Sequence, residues 1–235
     1  MSHSSPFRYF KTSPEIIRLA VMMYIRFLLS LRNVEDLLHE RGIGVSHETV
    51  RYWWNRFGPL FASNIPRRRA QQLRAFPQWQ WHLDEMFVKI NGVTHYLWRA
   101  VDHEGEVLEA FVSKRRDRKA ALRFLRNAMK RYGCPKAIVT DRLRSYGAAL
   151  KDLAIQERQQ TGRWLNNRAE NSHLPLRRRE RAKQRFRQMR SLQKFAAVHS
   201  SIHNHFNQDR HLNSRGTFKQ ARDTALVEWR GLGAA

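Results

Sequence analysis

The stretch Trp81-His82-Leu83-Asp84-Glu85-Met86-Phe87-Val88-Lys89-Ile90 decides the fold, because it has the pattern of a buried β-strand with a carboxylate in its middle. Side chains alternate between the faces of a strand, so Asp84 shares a face with Met86, Val88 and Ile90. Glu85 is predicted to point to the opposite face. A carboxylate on an apolar face costs roughly several kcal/mol unless a cation or donor compensates it. The pattern therefore predicts either a cation at Asp84 or a solvated aspartate.

The charge balance predicts a polyanionic partner. The 235 residues include 44 Lys and Arg against 20 Asp and Glu, which gives a formal net charge of +24. Nucleic acid is the leading candidate, because the basic runs lie among polar residues and not on an open apolar helix face of the kind that binds membranes. A hydrophobic content of 42% is enough to form a core.

Neither a membrane span nor a disulfide is expected. The apolar stretch 16–31 is interrupted by Arg18 and Arg26, which argues against a membrane helix and a signal peptide. Cys134 is the only cysteine, so it forms no internal disulfide and no cysteine-based metal site. These features predict a cytoplasmic protein.

The N-terminal residues 1–58 predict three helices. The first begins at Ser13-Pro14-Glu15, the second runs from Asn33 to Arg41, and the third is capped by Ser46 and covers 48–57. A turn at Gly42 before the last helix is typical of a helix-turn-helix domain, which binds the major groove of DNA. The alternative is a small helical bundle.

The basic charge favours DNA binding by this domain. Arg51 and Arg56 of the third helix are the predicted contacts, and at least one of Trp53 and Trp54 is expected to be buried. Gly58-Pro59 predicts the end of the domain. A basic linker is predicted over residues 59–78, in which Arg67, Arg68 and Arg69 follow a phosphate backbone.

Residues 79–235 predict a second domain of class α/β. Strands are expected at 81–90, 94–101, 107–112, 137–141 and near 155–159, and helices at 119–132, 146–153, 166–190 and 192–206. Pro175 should kink or divide the helix 166–190, at a cost of about 3 kcal/mol. This order of elements predicts a ribonuclease-H-like fold, with a mixed five-stranded sheet, flanking helices, and the first and fourth strands adjacent.

Such a fold brings carboxylates together. Asp84 and Asp141 would lie side by side on adjacent strands, and Glu170 on the following helix could reach the same place. Three carboxylates hold two divalent ions about 4 Å apart, and Mg²⁺ prefers oxygen ligands. Asp102 is expected to cap a turn and Asp117 a helix. A zinc site at His199, His203 and His205 is disfavoured, because no cysteine supports it and His199 lies on an apolar stripe.

Four ordered motifs carry a family resemblance. They are Trp81-His82-Leu83-Asp84-Glu85, Tyr96-Leu97-Trp98-Arg99-Ala100-Val101-Asp102, Thr140-Asp141-Arg142, and Leu165-Asn166-Asn167-Arg168-Ala169-Glu170-Asn171-Ser172-His173. With them, nearly the whole chain resembles the DDE transposases of bacterial insertion sequences, specifically the IS-six group. The resemblance implies a bacterial, nucleoid-associated enzyme that binds terminal inverted repeats and joins DNA strands with Mg²⁺.

The resemblance also assigns roles to residues. Asp84, Asp141 and Glu170 match the catalytic triad, which would bind two Mg²⁺ ions, with Mn²⁺ able to substitute. Asn167 and His173 either orient Glu170 or contact the scissile phosphate, or they are structural. The predicted DNA contacts of the basic run after Glu170 are Arg177, Arg178, Arg179 and Arg181.

The expected function is DNA cleavage and strand transfer by a homodimer or larger assembly on double-stranded DNA, with no small-molecule cofactor. One alternative is a non-catalytic DNA-binding regulator or inactive copy, which would have no use for three converging carboxylates. Another is a nuclease for RNA–DNA hybrids or junctions. The predicted helix-turn-helix argues against it, since that motif suits the major groove of B-form DNA.

Overall fold

The computed structural model describes residues 5–27, 29–73, 80–162, 165–182, 186–207 and 214–233, except for the side chains of 66–73, 179 and 182. The described helices are α1 Pro14–Arg26, α2 Leu31–His39, α3 His47–Leu73, α4 Arg118–Tyr132, α5 Arg144–Asp152, α6 Asn167–Ala182, α7 Met189–Phe206 and α8 Arg215–Arg230. The strands are β1 Gln80–Ile90, β2 Val93–Asp102, β3 Val107–Ser113, β4 Ala137–Thr140 and β5 Gln159–Thr161. Within these ranges, no helix combines the length and the apolarity needed to cross a bilayer.

The chain forms two compact units. The first contains Met1–Arg67 and Ser201–Ala235, and the second contains Arg68–Ser200. This division differs from the predicted one, in which the catalytic domain extends to residue 235. The C-terminal residues instead pack with the N-terminal helices.

Capping side chains set the starts of the first two helices. The Ser13 hydroxyl accepts the Ile16 N–H at 3.4 Å, which confirms the predicted start of α1. The predicted start of α2 at Asn33 was wrong, because Ser30 is the N-cap. The Ser30 hydroxyl accepts the Asn33 N–H at 3.1 Å, and the Asn33 side chain accepts the Ser30 N–H at 3.0 Å. Asn33 is therefore the third residue of the helix, where it completes a capping box.

Helix α3 does not end at Gly58-Pro59, so the predicted linker was wrong over residues 59–73, while 74–78 lie outside the described residues. The Trp54 ring lies over Gly58, and a Cβ at that position would approach the ring within 2.5 Å. Glycine at 58 thus permits close packing of Trp54. Burial of Phe57 and Phe61 compensates the helix for the missing N–H of Pro59. Both tryptophans of α3, Trp53 and Trp54, are buried, as predicted.

Helix α8, which the sequence analysis did not predict, completes the first unit. The Trp229 side chain is 2% exposed and packs edge-on against Phe61, with ring centroids 5.3 Å apart. Its indole N–H donates to the Arg18 carbonyl at 3.3 Å, and the Arg18 side chain donates to the Leu232 carbonyl at 2.7 Å. Residues from both ends of the chain therefore share one core.

The second unit is built on a five-stranded sheet in the order β3-β2-β1-β4-β5. Strand β1 is antiparallel to β2 and parallel to β4, which confirms the predicted adjacency of the first and fourth strands. Asn91 and Gly92 both have positive φ in the β1–β2 turn, as a tight hairpin requires. Strand β5 begins at Gln159, later than predicted, because residues Gln156–Arg158 form a 3-10 turn.

The two faces of this sheet have different partners. Trp81 and Leu83 of β1 belong to a core that includes Phe124 of α4 and Leu150 of α5. On the other face, Ala169 of α6 packs against the β2–β3 hairpin. Helix α6 continues through Pro175 and is not divided there. The face that carries Asp84 therefore lies beneath α6.

We expect the core of the first unit to depend on α8. Trp229→Ala should lower the free energy of unfolding by about 3–5 kcal/mol, because it removes a buried aromatic side chain and a hydrogen bond. Urea denaturation of the full chain followed by circular dichroism measures the change. Val227→Ala is the matched control, since Val227 lies on the same helix and is 65% exposed. Equal losses of unfolding free energy in the two variants would contradict the role of Trp229 in the core of the first unit.

Candidate active site

Three carboxylates meet where β1 passes the end of β4. Asp84, Glu85 and Asp141 each place a carboxylate oxygen within 4.8 Å of the other two. Among the described residues this is the only group of three metal-ligating side chains so close together, and the histidines of α7 do not form one. The structure thus brings together two members of the predicted triad and adds Glu85.

Glu85 lies on the face opposite to Asp84, as predicted, because its register partner Trp98 belongs to the core shared with Trp81 and Leu83. Its carboxylate nevertheless lies within 4.8 Å of those of Asp84 and Asp141, which was not expected. Leu83 pairs with Thr140, the last residue of β4, while β1 continues to Ile90. Beyond Leu83, no strand in the described part of the chain pairs with this edge of β1. Consecutive side chains that start on opposite faces can therefore both reach around the open edge to Asp141.

Arg116 connects two of the carboxylates. Its guanidinium forms an ion pair with Glu85 and lies 3.5 Å from Asp141. Burial and the charge of Asp141 raise the pKa of Glu85 to about 7, although Arg116 opposes the shift. Burial also raises the pKa of Asp141, against the hydrogen bond from the Leu143 N–H, and the charge of Asp84 raises it further. A site with these mutual repulsions favours additional positive charge.

Helix α6 is attached to Asp84 through His173. The buried His173 ring places Nε2 at 3.0 Å from Asp84 Oδ2. Burial lowers the pKa of His173 despite this hydrogen bond, and the charges of Arg99 and Arg177 add to the effect. The ring is therefore neutral at pH 7, and Nε2 donates its proton to the carboxylate. His173 thus contacts Asp84, and Arg177 remains near the site although Pro175 precedes it.

Two further residues hold α6 to the sheet. Asn166 donates from Nδ2 to the Leu83 carbonyl at 2.8 Å, whereas the predicted Asn167 has an exposed side chain. Arg99 is the register partner of Asp84 on β2, is 1% exposed, and donates to the Ser172 carbonyl. Burial lowers the pKa of Arg99 to about 10, so it is still a cation at pH 7. A buried positive charge on β2 therefore lies opposite Asp84 of β1.

Glu170 lies outside the group of three. It is exposed in the first turn of α6, one turn before His173. It therefore shares the helix that contacts Asp84 but does not belong to the group of carboxylates whose oxygens all lie within 4.8 Å of one another.

The predicted DNA contacts occur in both units. Arg51 and Arg56 are exposed on α3, where Arg51 pairs with Glu48 at 2.7 Å and Arg56 lies 5.6 Å from the Phe10 ring centroid. On α6, Arg177 is half-buried, while Arg178 and Arg181 are exposed. The side chains of Arg67, Arg68, Arg69 and Arg179 lie outside the described residues.

Two acids outside the site have the capping roles that were predicted. Asp102 accepts the N–H groups of Glu104 and Glu106, each at 2.9 Å. Asp117 accepts the Ala120 N–H at 2.9 Å as the N-cap of α4. Neither residue belongs to the group of three converging carboxylates.

The sequence analysis missed Glu85, Arg99, Arg116 and Asn166. Arg99 had a detectable signal, since a lone charge between Trp98 and Ala100 in an apolar strand lies on the Asp84 face. Arg116 had none, because it is one of several basic residues in a loop and only the fold places it against the carboxylates.

The comparisons identify the family. A family model described as "DDE domain" matches residues 78–209. The transposase for insertion sequence-like element IS431mec of Staphylococcus aureus is 31% identical over 172 residues, which cover 71% of this chain and 75% of that protein. The chain belongs to the DDE transposases of insertion sequences. This transposase has the predicted ribonuclease-H-like fold, and its family consists of polynucleotidyl-transferase-type enzymes that act in DNA transposition.

Two other relatives match this transposase over a similar fraction of its chain. The transposase for IS257 in transposon Tn4003 of S. aureus is 30% identical over 71% of this chain and 75% of its own length. The uncharacterized protein MJ0017 of Methanocaldococcus jannaschii is 29% identical over 75% of this chain and 77% of its own. A simian T-cell lymphotropic virus intasome in complex with the PP2A regulatory subunit B56 gamma overlaps with a TM-score of 0.39 and 21% identity, over 56% of this chain and 50% of that one.

We expect Arg116 to stabilise the ionised form of the buried Glu85. Because the pKa of Glu85 is raised, its ionisation lowers the stability of the fold as pH rises through about 7. Arg116→Met should therefore destabilise the transposase by roughly 2 kcal/mol at pH 8 and by less at pH 5, where Glu85 is protonated. Urea denaturation in chelator at both pH values measures the difference.

Arg118→Met is the control for this prediction. Arg118 pairs with Asp152 at 2.6 Å, but its side chain is 63% exposed. Its loss should cost less than about 1 kcal/mol at either pH. A pH-independent loss in Arg116→Met would contradict the ion pair as the cause.

Proposed function

We propose that this transposase binds the terminal inverted repeats of its insertion sequence and catalyses metal-dependent cleavage and strand transfer. The observation that carries the proposal is the convergence of Asp84, in the middle of β1, with Asp141, which directly follows the adjacent parallel strand β4, beneath a helix that bears Glu170. A regulator that only binds DNA would gain nothing from this arrangement, since close carboxylates repel each other and the phosphates of DNA.

The donor set fits hard divalent cations. Asp84 and Asp141 supply carboxylate oxygens within 4.8 Å of each other, and Mg²⁺, or Mn²⁺ in its place, prefers such ligands. Glu170 is proposed as the third catalytic ligand, since it lies one helical turn from the residue that contacts Asp84. A pair of bound ions would supply charge neutralisation at the phosphate and a stronger oxygen nucleophile.

The neighbouring side chains position these ligands. His173 donates to one oxygen of Asp84, which leaves the other oxygen for a metal ion. Asn166 and Arg99 attach the start of α6 to the sheet, so Glu170 is presented from a fixed helix. Arg116 neutralises Glu85 and keeps a cation next to Asp141, where an incoming phosphate would be drawn.

DNA binding is assigned to both units. The turn between α2 and α3 and the exposed Arg51 and Arg56 support a helix-turn-helix that reads the major groove. Arg177, Arg178 and Arg181 on α6 are proposed to hold the phosphates that flank the site, with Arg179 and with Arg67, Arg68 and Arg69 contributing by their charge. The net charge of +24 supports a contact with DNA that extends well beyond one helix.

The active form is proposed to be a homodimer or a larger assembly on DNA. Strand transfer requires that both ends of the element are held at one target. Each chain has one group of converging carboxylates among its described residues, so two copies are needed to act on two ends in a concerted way.

We expect Glu170→Gln to abolish catalysis but not DNA binding. Strand joining is measured with Mg²⁺ on linear DNA that carries the inverted repeats flanking the gene. Joining should fall by at least about 100-fold in Glu170→Gln, while end binding changes less than about 2-fold, since a neutral amide is a poor ligand for Mg²⁺. Glu157→Gln is the matched control, because its side chain is 68% exposed and does not belong to the group of converging carboxylates. Binding without joining in the wild type would favour the regulator or an inactive copy.

His173→Phe should raise the Mg²⁺ concentration that strand joining requires. Without the hydrogen bond to Asp84, we expect about 10- to 100-fold less joining at low Mg²⁺, with partial recovery at high Mg²⁺. A titration of joining rate against Mg²⁺ concentration measures this. Leu174→Ala, at an exposed position on the same helix, should match the wild type. If the two variants have the same Mg²⁺ dependence, His173 does not position a metal ligand.

A further inference from the structure

An exposed aromatic ring lies directly beside the carboxylates. Phe87 of β1 is 53% exposed, although the strand residues before it are mostly buried. We propose that Phe87 and Arg116 form a stacking site for an unpaired nucleobase of the DNA end, next to the phosphate that reacts. This inference rests on the proposed function and adds a DNA-binding site to it.

The ring is held in a fixed position. Tyr96, its register partner on β2, packs edge-on against it, with ring centroids 5.5 Å apart and an interplanar angle of 62°. The Arg116 guanidinium carbon lies 5.7 Å from the Phe87 ring centroid. Two neighbours thus orient the ring while more than half of the residue stays open to solvent. A preoriented aromatic surface loses little conformational entropy when a flat ligand stacks on it.

Arg116 links this surface to the reaction centre. The guanidinium that contacts Phe87 also pairs with Glu85 and lies 3.5 Å from Asp141. A single side chain therefore separates the Phe87 ring from the carboxylates. If the reacting phosphate lies at Asp141, a base on the ring belongs to a nucleotide that flanks that phosphate.

The chemistry of the surface selects the ligand. Bases within a duplex are already stacked on each other, so only an unpaired or displaced base can stack on a protein ring. An aromatic ring accepts any base, and the adjacent guanidinium attracts the phosphate of the same nucleotide. A protein partner is a poorer match, because one ring beside a basic residue is a small apolar patch on a strongly basic chain. The site is therefore expected to favour single-stranded extensions over blunt ends without reading their sequence.

The proposal is tested by measuring the affinity of protein variants for DNA probes that carry or lack bases in a single-stranded extension. The probes are an inverted-repeat duplex with a short single-stranded extension and the same duplex with abasic sites in the extension. A duplex of unrelated sequence with both kinds of extension is measured in parallel, so the comparison does not depend on recognition of the repeats. Affinities are measured with Ca²⁺ in place of Mg²⁺, using the full-length chain.

For the wild type, removal of the bases should weaken binding on the order of 10-fold. Phe87→Ala should bind the base-carrying probe about 10-fold more weakly than the wild type and should not respond to removal of the bases. Phe87→Trp should retain the wild-type response, because it keeps an aromatic surface. Val93→Ala is the matched control, since Val93 lies in the same hairpin and is 62% exposed.

The proposal is overturned if base removal affects wild type and Phe87→Ala equally, or if the wild type does not respond to it. A loss of affinity in Val93→Ala equal to that in Phe87→Ala also overturns it. Strand joining is followed on the same variants. Base-dependent binding without joining would reject the proposed catalysis and keep the stacking site, and joining without base dependence would reject the stacking site alone.

Discussion

The parallel pairing of β1 with β4, and the point at which it stops, is the constraint on which the site depends. Pairing brings Asp84 next to the residue that follows β4, and its end at Leu83 and Thr140 opens the edge of β1 beyond them. A longer β4 would carry the residue that follows it further along the sheet, away from Asp84. The carboxylates converge because one strand is short and its neighbour is long.

Convergence has an electrostatic cost that the surrounding residues offset. Burial is the main cause of the raised pKa values of Glu85 and Asp141, and the charges of the neighbouring carboxylates, within 4.8 Å, raise them further. Arg116 offsets part of this repulsion from the solvent side. From beneath, Arg99 adds a buried positive charge and His173 a hydrogen-bond donor. The remaining deficit of positive charge gives the site its affinity for divalent cations and explains why a DNA-joining enzyme tolerates such a cluster.

The two units are built differently, and the proposed DNA contacts lie in both. The first is a helical unit whose core joins both ends of the chain, through Trp229 on one side and Arg18 on the other. A C-terminal truncation is thus expected to damage the N-terminal helices rather than the carboxylate site. Helix α3 begins in this unit and continues past Gly58, so no flexible linker follows directly after the predicted recognition helix.

The sequence by itself determined the order of the strands and of most helices, although it predicted neither α8 nor the full length of α3. This order follows from local patterns, since strand alternation, helical periodicity and turn residues depend on neighbours in the chain. The adjacency of β1 and β4, and with it the pair Asp84 and Asp141, was predicted from the fold that this order of elements indicates. The sequence failed where a residue's role depends on how side chains pack and where strands end. Gly58 was predicted to end a helix, but Trp54 packs over it within a continuous helix. Glu85 was not expected in the site, but its carboxylate meets those of Asp84 and Asp141 where β4 stops. Only the tertiary structure decided these points, because packing and strand length set which side chains meet.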